Sequence, residues 1–316
     1  MEEIKVPIYL ITGFLESGKT SFLSFTLQQD YFQVEGKTLL ILCEEGEEEY
    51  DEEALKKSNT VVEVIDSEEE LTPERLAAMD ILHQPERVII EYNGMWLVSN
   101  FEKMQLPKGW GVEQQITCVD GSTFQMYMAN MKSIFMDMVR NADMVVFNRS
   151  KKEYPLANFR RSIKVVNPSA EVIFEDEEGE MTDIFADQMP FDLDAEIVDI
   201  PPEDYGIWFV DAMDHPDRYV GKTLRFKARA RRPRGMGSKF FIPGRTAMTC
   251  CADDTTFLGY VCRSDNASHI KEGSWVEVTA KVAFENRTEY QGEGIVLYAS
   301  DAKECEPLKD EMVYFN

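Results

Sequence analysis

Short apolar runs alternate with longer polar or amphipathic stretches through the first half of the chain. Residues 5–12, 38–43, 61–65, 87–91, 115–119 and 144–147 are rich in Val, Ile and Leu. They are too short for typical helices and read as buried strands. Between the first two, a glycine-containing turn leads into a helix through Leu23 and Leu27. Another helix opens at Thr72-Pro73-Glu74, with Thr72 as N-cap and Pro73 at the first helical position. Strands separated by helices predict a mostly parallel sheet with helices on its faces. Residues 44–53 are acidic, contain a glycine and read as a loop. Met126, Met128, Met131, Met136 and Met138 fall in one predicted helix, where thioethers either bind Cu(I) or, the favoured reading because no Cys or His accompanies the run, fill the core.

The texture changes after residue 200. Short β-rich runs appear at 224–231, 239–242, 247–251, 258–262, 275–284 and 295–299, with turn residues between them. That spacing predicts a small β-barrel or sandwich. Before it, residues 175–180 are acidic and Pro201-Pro202 is stiff, which suggests a connector. The expected architecture is an α/β domain over residues 1–175, an acidic linker over 176–204 and an all-β, OB-like barrel over 205–316.

Charge sharpens this division. The 316 residues carry a net charge of −25. Residues 1–200 hold 17 basic and 40 acidic side chains, whereas residues 201–316 hold 16 and 18. Such a balance argues against a general nucleic-acid binder, whose affinity comes from Lys and Arg neutralising phosphates. One local exception is residues 225–234, where Arg225, Lys227, Arg229 and Arg231 alternate with Phe226, Ala228 and Ala230. On a strand, all four charges share one face. That face is either solvated or a dock for the acidic half or an anionic ligand; OB-type nucleic-acid binding ranks lower, because the field of the whole chain repels it. No apolar run is long enough to span a membrane. The acidic start, Met1-Glu2-Glu3, is not that of a secretory signal, and six cysteines are too few for a disulfide scaffold. A cytoplasmic protein is expected.

Chemistry enters at Gly13-Phe14-Leu15-Glu16-Ser17-Gly18-Lys19-Thr20, a complete G-x-x-x-x-G-K-[ST] phosphate loop between a predicted strand and a predicted helix. Its glycines let backbone N–H groups converge on phosphate. Lys19 would reach the β- and γ-phosphates and Thr20 would ligate Mg²⁺.

Residues 7–27 resemble the CobW branch of the P-loop GTPases, relatives of the UreG and HypB metal-insertion proteins. Further blocks follow in that family's order over residues 6–174. Cys43-Glu44-Glu45-Gly46-Glu47 through Asp51 resembles the switch segment Asn-Glu-Phe-Gly-Glu-x-x-x-Asp, and Ile90-Glu91-Tyr92-Asn93-Gly94 resembles Ile-Glu-x-x-Gly. Thr117-Cys118-Val119-Asp120, Ala142-Asp143 through Asn148, and Asn167-Pro168-Ser169-Ala170 match later blocks. The resemblance implies a P-loop NTPase fold binding GTP or GDP with Mg²⁺, hydrolysis of GTP, and a metallochaperone-like or regulatory role toward a client metalloprotein. It implies nucleotide contacts from Gly13, Glu16, Ser17, Gly18, Lys19, Thr20, Ser21 and Asn148. Lys19, Glu91 and Gly94 would act in catalysis. Thr20 and Glu91 would hold the metal, with Glu44 and Asp51 in the mobile switch as further candidates.

Two positions depart from the family. The base-reading Asn-Lys-x-Asp is here Asn148-Arg149-Ser150-Lys151. Lys151 has only donors and cannot accept from guanine N1–H and N2–H₂. GTP read by other groups, a different base preference and weakened binding all remain open, so a degenerate regulatory module without efficient hydrolysis is the alternative. The family's Cys-x-Cys-Cys is replaced by Asp66-Ser67-Glu68-Glu69-Glu70. Carboxylates favour harder ions than thiolates do. Asp66, Glu68 and Glu69 with Glu44 form either a hard-metal site or, the favoured reading, an acidic helix start. A transition metal is therefore an open expectation. In the second half, Cys250-Cys251-Ala252-Asp253, Tyr219-Val220-Gly221-Lys222 and Gly244-Arg245 resemble an uncharacterised bacterial domain found beside permease-like proteins. This adds a permease as a candidate partner. Cys250 or Cys251 with Cys262 and His269 could bind zinc, though buried thiols are the simpler reading.

Overall fold

The computed structural model describes residues 4–181, 189–248 and 255–314. The chain forms two compact units, Met1–Leu156 with Val166–Ile184, and Ala157–Val165 with Phe185–Asn316.

The first unit contains, in chain order, β1 (Val6–Thr12), α1 (Lys19–Leu27), β2 (Thr38–Leu42), α2 (Glu52–Lys57), β3 (Thr60–Val64) and α3 (Pro73–His83). Then come β4 (Arg87–Glu91), α4 (Val98–Glu102), β5 (Trp110–Asp120), α5 (Phe124–Asn130), α6 (Lys132–Val139) and β6 (Met144–Asn148). Helix α7 (Leu156–Val166), whose residues 157–165 belong to the second unit, precedes β7 (Glu171–Asp176) and the short β8 (Gly179–Glu180) of the first. The sheet order is β3-β2-β4-β1-β5-β6-β7-β8. All neighbours pair in parallel except the β7–β8 hairpin. Parallel strands covered on both faces need continuous apolar runs, and β4 is buried at all five positions. Leu23 and Leu27 of α1 pack on Ile11, Leu40, Ile89, Ile116 and Val146 of the sheet. In such a sheet the C-terminal strand ends carry the ligand site. Thr72 caps α3, accepting from Arg75 N at 3.2 Å, with Pro73 at its first position.

The methionine-rich stretch is two helices, not one. Met131 has φ −133° and ψ 30°, which breaks the helix between α5 and α6. Met136 and Met138 are buried in α6, whereas Met126 is exposed. The acidic loop also ends sooner than its composition suggests, because Asp51 caps α2 from residue 52.

The second unit contains β9 (Val198–Asp199), α8 (Tyr205–Asp214), β10 (Thr223–Arg231), β11 (Phe240–Met248), β12 (Thr255–Gly259), β13 (Val261–Arg263), β14 (Trp275–Arg287), β15 (Gly292–Glu304) and β16 (Met312–Val313). Strands β10, β11, β13, β15 and β14 close into a five-stranded barrel. Only β13 and β15 pair in parallel within it, and the order is that of an OB-type barrel. Strand β10 turns Phe226, Ala228 and Ala230 inward and leaves Arg225, Arg229 and Arg231 exposed, as the alternation predicts. The run expected at 239–242 and residues 247–248 of the run expected at 247–251 are one strand through Pro243-Gly244, residues 249–251 lying outside the described residues. A Cβ on Gly244 would lie 2.5 Å from the Leu258 carbonyl, so glycine lets β11 and β12 approach closely. Phe191, Val198 and Ile200, from the stretch read as a connector, lie in this unit's core. Cys250 and Cys251 lie outside the described residues; Cys262 is buried and its thiol is pushed up to about 12 by burial.

Helix α8 is not evident from periodicity. Its Tyr205, Trp208, Val210 and Ala212 are buried. Trp208 packs 4.8 Å from Phe226, and the Tyr205 hydroxyl donates to the Leu258 carbonyl at 3.0 Å. Asp214, at the end of α8, pairs with Arg160 and Lys164 of α7. Among the described residues no helix is long and apolar enough to cross a membrane.

Trp208 is 1% exposed, and its Nε1 has no hydrogen-bond partner. Its value is therefore volume. Trp208→Ala is expected to cost about 3–5 kcal/mol, and Trp208→Phe less than about 1.5 kcal/mol, in urea denaturation. Equal losses for the two would contradict this packing role.

Candidate functional site

The site lies where β1, β4, β5 and β6 end. Residues 13–18 turn from β1 into α1, and two glycines make that turn feasible. Gly13 has φ +140°, and a Cβ there would lie 2.3 Å from the Cys118 carbonyl. Gly18 has φ +90°, and a Cβ there would lie 2.6 Å from Asn148 Nδ2. Neither space is open to a side chain, so the backbone is bare at these two positions beside a helix N-terminus, which is what anion binding needs.

Lys19 opens α1 and folds back over the loop. It is 4% exposed. Its amine donates to the carbonyls of Gly13 at 2.9 Å and Phe14 at 3.0 Å, and to Glu44 Oε2 at 2.6 Å. Gly94 stands against the loop from the other side: a Cβ there would lie 2.5 Å from the Gly13 carbonyl and 2.6 Å from Phe14 Cα. The Gly94 N–H donates to Glu44 Oε1 at 3.4 Å. One carboxylate thus bridges the Lys19 amine and the Gly94 amide.

Next to it, the Thr20 hydroxyl donates to Glu91 Oε1 at 2.9 Å, and the Tyr50 hydroxyl donates to Glu91 Oε2. Burial raises the Glu91 pKa and outweighs the opposing bonds from Tyr50 and Thr20 and the charge of Lys19. Tyr50 is raised as well, by burial and then by Glu91, so it stays a donor. Nothing in its acidic sequence surroundings marks Tyr50 for this contact.

The acidic segment after β2 is fastened to the loop at further points. Ser21 Oγ donates to Glu48, and the Glu47 N–H donates to Glu16 Oε1 at 3.2 Å. Glu16 itself has φ +61°. The cleft remaining between this segment and the loop is about 20 Å³, room for about one water. Asp51 stands apart as the N-cap of α2, accepting from Glu53 N at 2.7 Å. Glu68 accepts from Asn100 at 2.8 Å. Among the described residues no three His, Cys, Asp or Glu side chains converge as a metal cage. Thr20 and Glu91 are therefore brought together, while Asp51 and the 66–70 run do not join them. The Cys43 and Cys118 thiols are pushed up to about 12 by burial, so neither is a ready thiolate.

On the outer side, Asn148 Nδ2 donates to the Ser17 carbonyl at 2.7 Å, which ties the end of β6 to the loop. Asn148 Oδ1 and Ser17 Oγ are buried without partners. Arg149, at φ +49°, bonds the Glu16 carbonyl at 2.9 Å and Asp120 at 2.7 Å. Lys151 is exposed.

Residues 7–174 match the nucleotide-binding domain of CobW/HypB/UreG. The chain belongs to the CobW/HypB/UreG family. Residues 178–315 match the DUF1980 C-terminal domain. No curated protein matches. Among solved structures, HypB from Archaeoglobus fulgidus is 17% identical, covering 55% of this chain and 83% of its own at a TM-score of 0.40. Zn(II)-bound YjiA GTPase from E. coli is 18% identical, covering 72% of this chain and 73% of its own at 0.43. The mitochondrial single-stranded DNA binding protein Rim1 from S. cerevisiae is 13% identical, covering 26% of this chain and 93% of its own at 0.17.

The buried, unpartnered Ser17 hydroxyl, which can donate, and the close glycine-lined cradle both fit a bound phosphate, whereas Asn148 Oδ1 can only accept and does not. Gly94→Ala tests the cradle. Its clash is with backbone and cannot be relieved by a rotamer change. The expected cost is about 1–3 kcal/mol, read from urea denaturation, together with loss of nucleotide binding by calorimetry. Wild-type stability and affinity would refute the close approach.

Proposed function

We propose that this CobW/HypB/UreG family member binds GTP with Mg²⁺ and hydrolyses it slowly, its nucleotide state setting the position of the 44–51 segment. The observation that carries this reading is the Lys19 amine, held over the loop by two carbonyls and facing the Glu44 carboxylate.

Lys19 and the Gly94 N–H would contact the γ-phosphate, in the places Glu44 now fills. Thr20 and, through water, Glu91 would hold Mg²⁺; bound there, the ion neutralises charge on the β- and γ-oxygens. Gly13, Ser17 and Gly18 would present backbone N–H groups, and Ser21 would face the α-phosphate once Glu48 has left it. Release of Glu44, Glu48 and Tyr50 together would free the segment to contact a client metalloprotein or a permease. Thiolate transfer of a soft metal is not part of this reading, because carboxylates replace the family's cysteines at 66–70.

A regulatory module that binds nucleotide without turning it over is the second reading, supported by Lys151 in place of the family's base-reading carboxylate and by Glu44 on the Lys19 amine. Phosphate release by wild type and Lys19→Ala separates the two readings. The hydrolysis reading expects turnover abolished by the substitution. Activity surviving Lys19→Ala, or no activity despite binding, would sink it.

Glu44 competes with phosphate for the same two donors. Glu44→Gln removes the competing charge and is expected to tighten GTP binding about tenfold, about 1.4 kcal/mol, in titration calorimetry with Mg²⁺. Unchanged or weaker binding would show that Glu44 is no competitor.

A further inference from the structure

A cavity of about 580 Å³ opens beside the loop, on the face of the sheet that α1 partly covers. Its apolar wall includes Phe22, Ile116, Val146 and Ile173. Its polar rim is formed by Gly18, Ser21, Asn148, Arg149 and Glu175. Those first four residues are the ones that would flank the sugar and base of a nucleotide whose phosphates lie on residues 13–20. Glu175 is the only acidic residue among the groups lining this cavity.

The backbone sets its position. Strand β7 pairs in parallel with β6, with Phe174 opposite Phe147, so Glu175 follows directly beside Asn148. The Ser150 N–H donates to the Glu175 carbonyl at 2.8 Å, locking the loop after β6 onto the end of β7. Strand alternation puts Glu175 on the same face as Ile173, and both line the cavity. Among the described residues, the Glu175 carboxylate forms no ion pair and accepts no hydrogen bond. Burial raises its pKa, and Glu180, its partner across the β7–β8 hairpin, raises it further. A carboxylate so placed is improved by two donors arriving together.

We propose that Glu175 reads the base, accepting from N1–H and N2–H₂ of guanine in place of the carboxylate that Lys151 displaces. The inference rests on the nucleotide-binding reading above. Guanine presents two adjacent donors to a carboxylate in a bidentate fork. Adenine presents a lone pair at N1, and the carboxylate rejects it. Inosine retains N1–H but lacks the N2 amine. Xanthine replaces that amine with a carbonyl, which faces the carboxylate unfavourably and suits a carboxamide.

The test is titration calorimetry of the full-length protein with Mg²⁺ and GDP, IDP, XDP and ADP. Wild type is expected to prefer GDP over IDP and ADP by about tenfold or more. Glu175→Gln is expected to weaken GDP about tenfold and to bind XDP at least as well as GDP. Glu175→Asp keeps the charge and is expected to keep GDP above XDP. The gain of XDP binding requires a folded protein, so it cannot arise from misfolding. If Glu175→Gln keeps the wild-type ranking, the proposal is overturned while nucleotide binding stands. Wild type binding ADP as well as GDP, with Lys19→Ala losing both, also overturns it and leaves the phosphate site intact. Wild type binding none of the four overturns both readings.

Discussion

A buried ammonium governs this site. Lys19 is nearly sealed from water, and an unpaired charge in that position would be costly. The Gly13 and Phe14 carbonyls meet part of its demand; a full negative charge must meet the rest. The loop is therefore always matched to an anion, and the remaining variable is which one. Glu44 serves in this structure, and its second oxygen reaches the Gly94 amide. The glycines at 13, 18 and 94 follow from the same constraint. Each stands where a Cβ would strike backbone or the Asn148 amide.

The second unit handles charge differently. Arg225 pairs with Asp199, Arg229 with Glu311, and Arg231 stacks on Phe257 at 3.9 Å. These are exposed contacts of small individual energy. They nevertheless mean that the basic face of β10 is partly compensated from within its own unit. Stability there comes instead from the barrel interior, where Trp208, Tyr205 and Phe226 interlock.

Much of the molecule was legible from the chain alone. Residues 13–20 carry a motif whose spacing is dictated by phosphate geometry, and the apolar runs of β1, β2 and β4 can be satisfied only inside a covered sheet. Alternation in β10 identified its inner face. Other features depend on tertiary contacts that no local pattern encodes. Helix α8 has apolar residues around most of its circumference and aromatic residues that equally suit strands, so its period is blurred. Pro243-Gly244 reads as a break, yet the crossing of β11 with β12 requires a residue without a side chain there. Tyr50 and Glu175 sit in acidic stretches where composition points to solvent. Only the pairing of β6 with β7, and the fold of the 44–50 segment over the loop, give each of them one neighbour that matters.

The acidic segment lying over the cradle has a consequence for how a nucleotide arrives. Most anion-binding clefts draw their ligand in, and dissolved ions slow the encounter by shielding that pull. Here the approaching triphosphate meets Glu44, Glu47 and Glu48 first, on the more negative half of a chain of net charge −25. Raising ionic strength shields that repulsion instead, while the Lys19–Glu44 contact, sealed from water, is screened much less. An anion bound at Lys19 is therefore expected to arrive faster as salt rises, the reverse of the usual dependence.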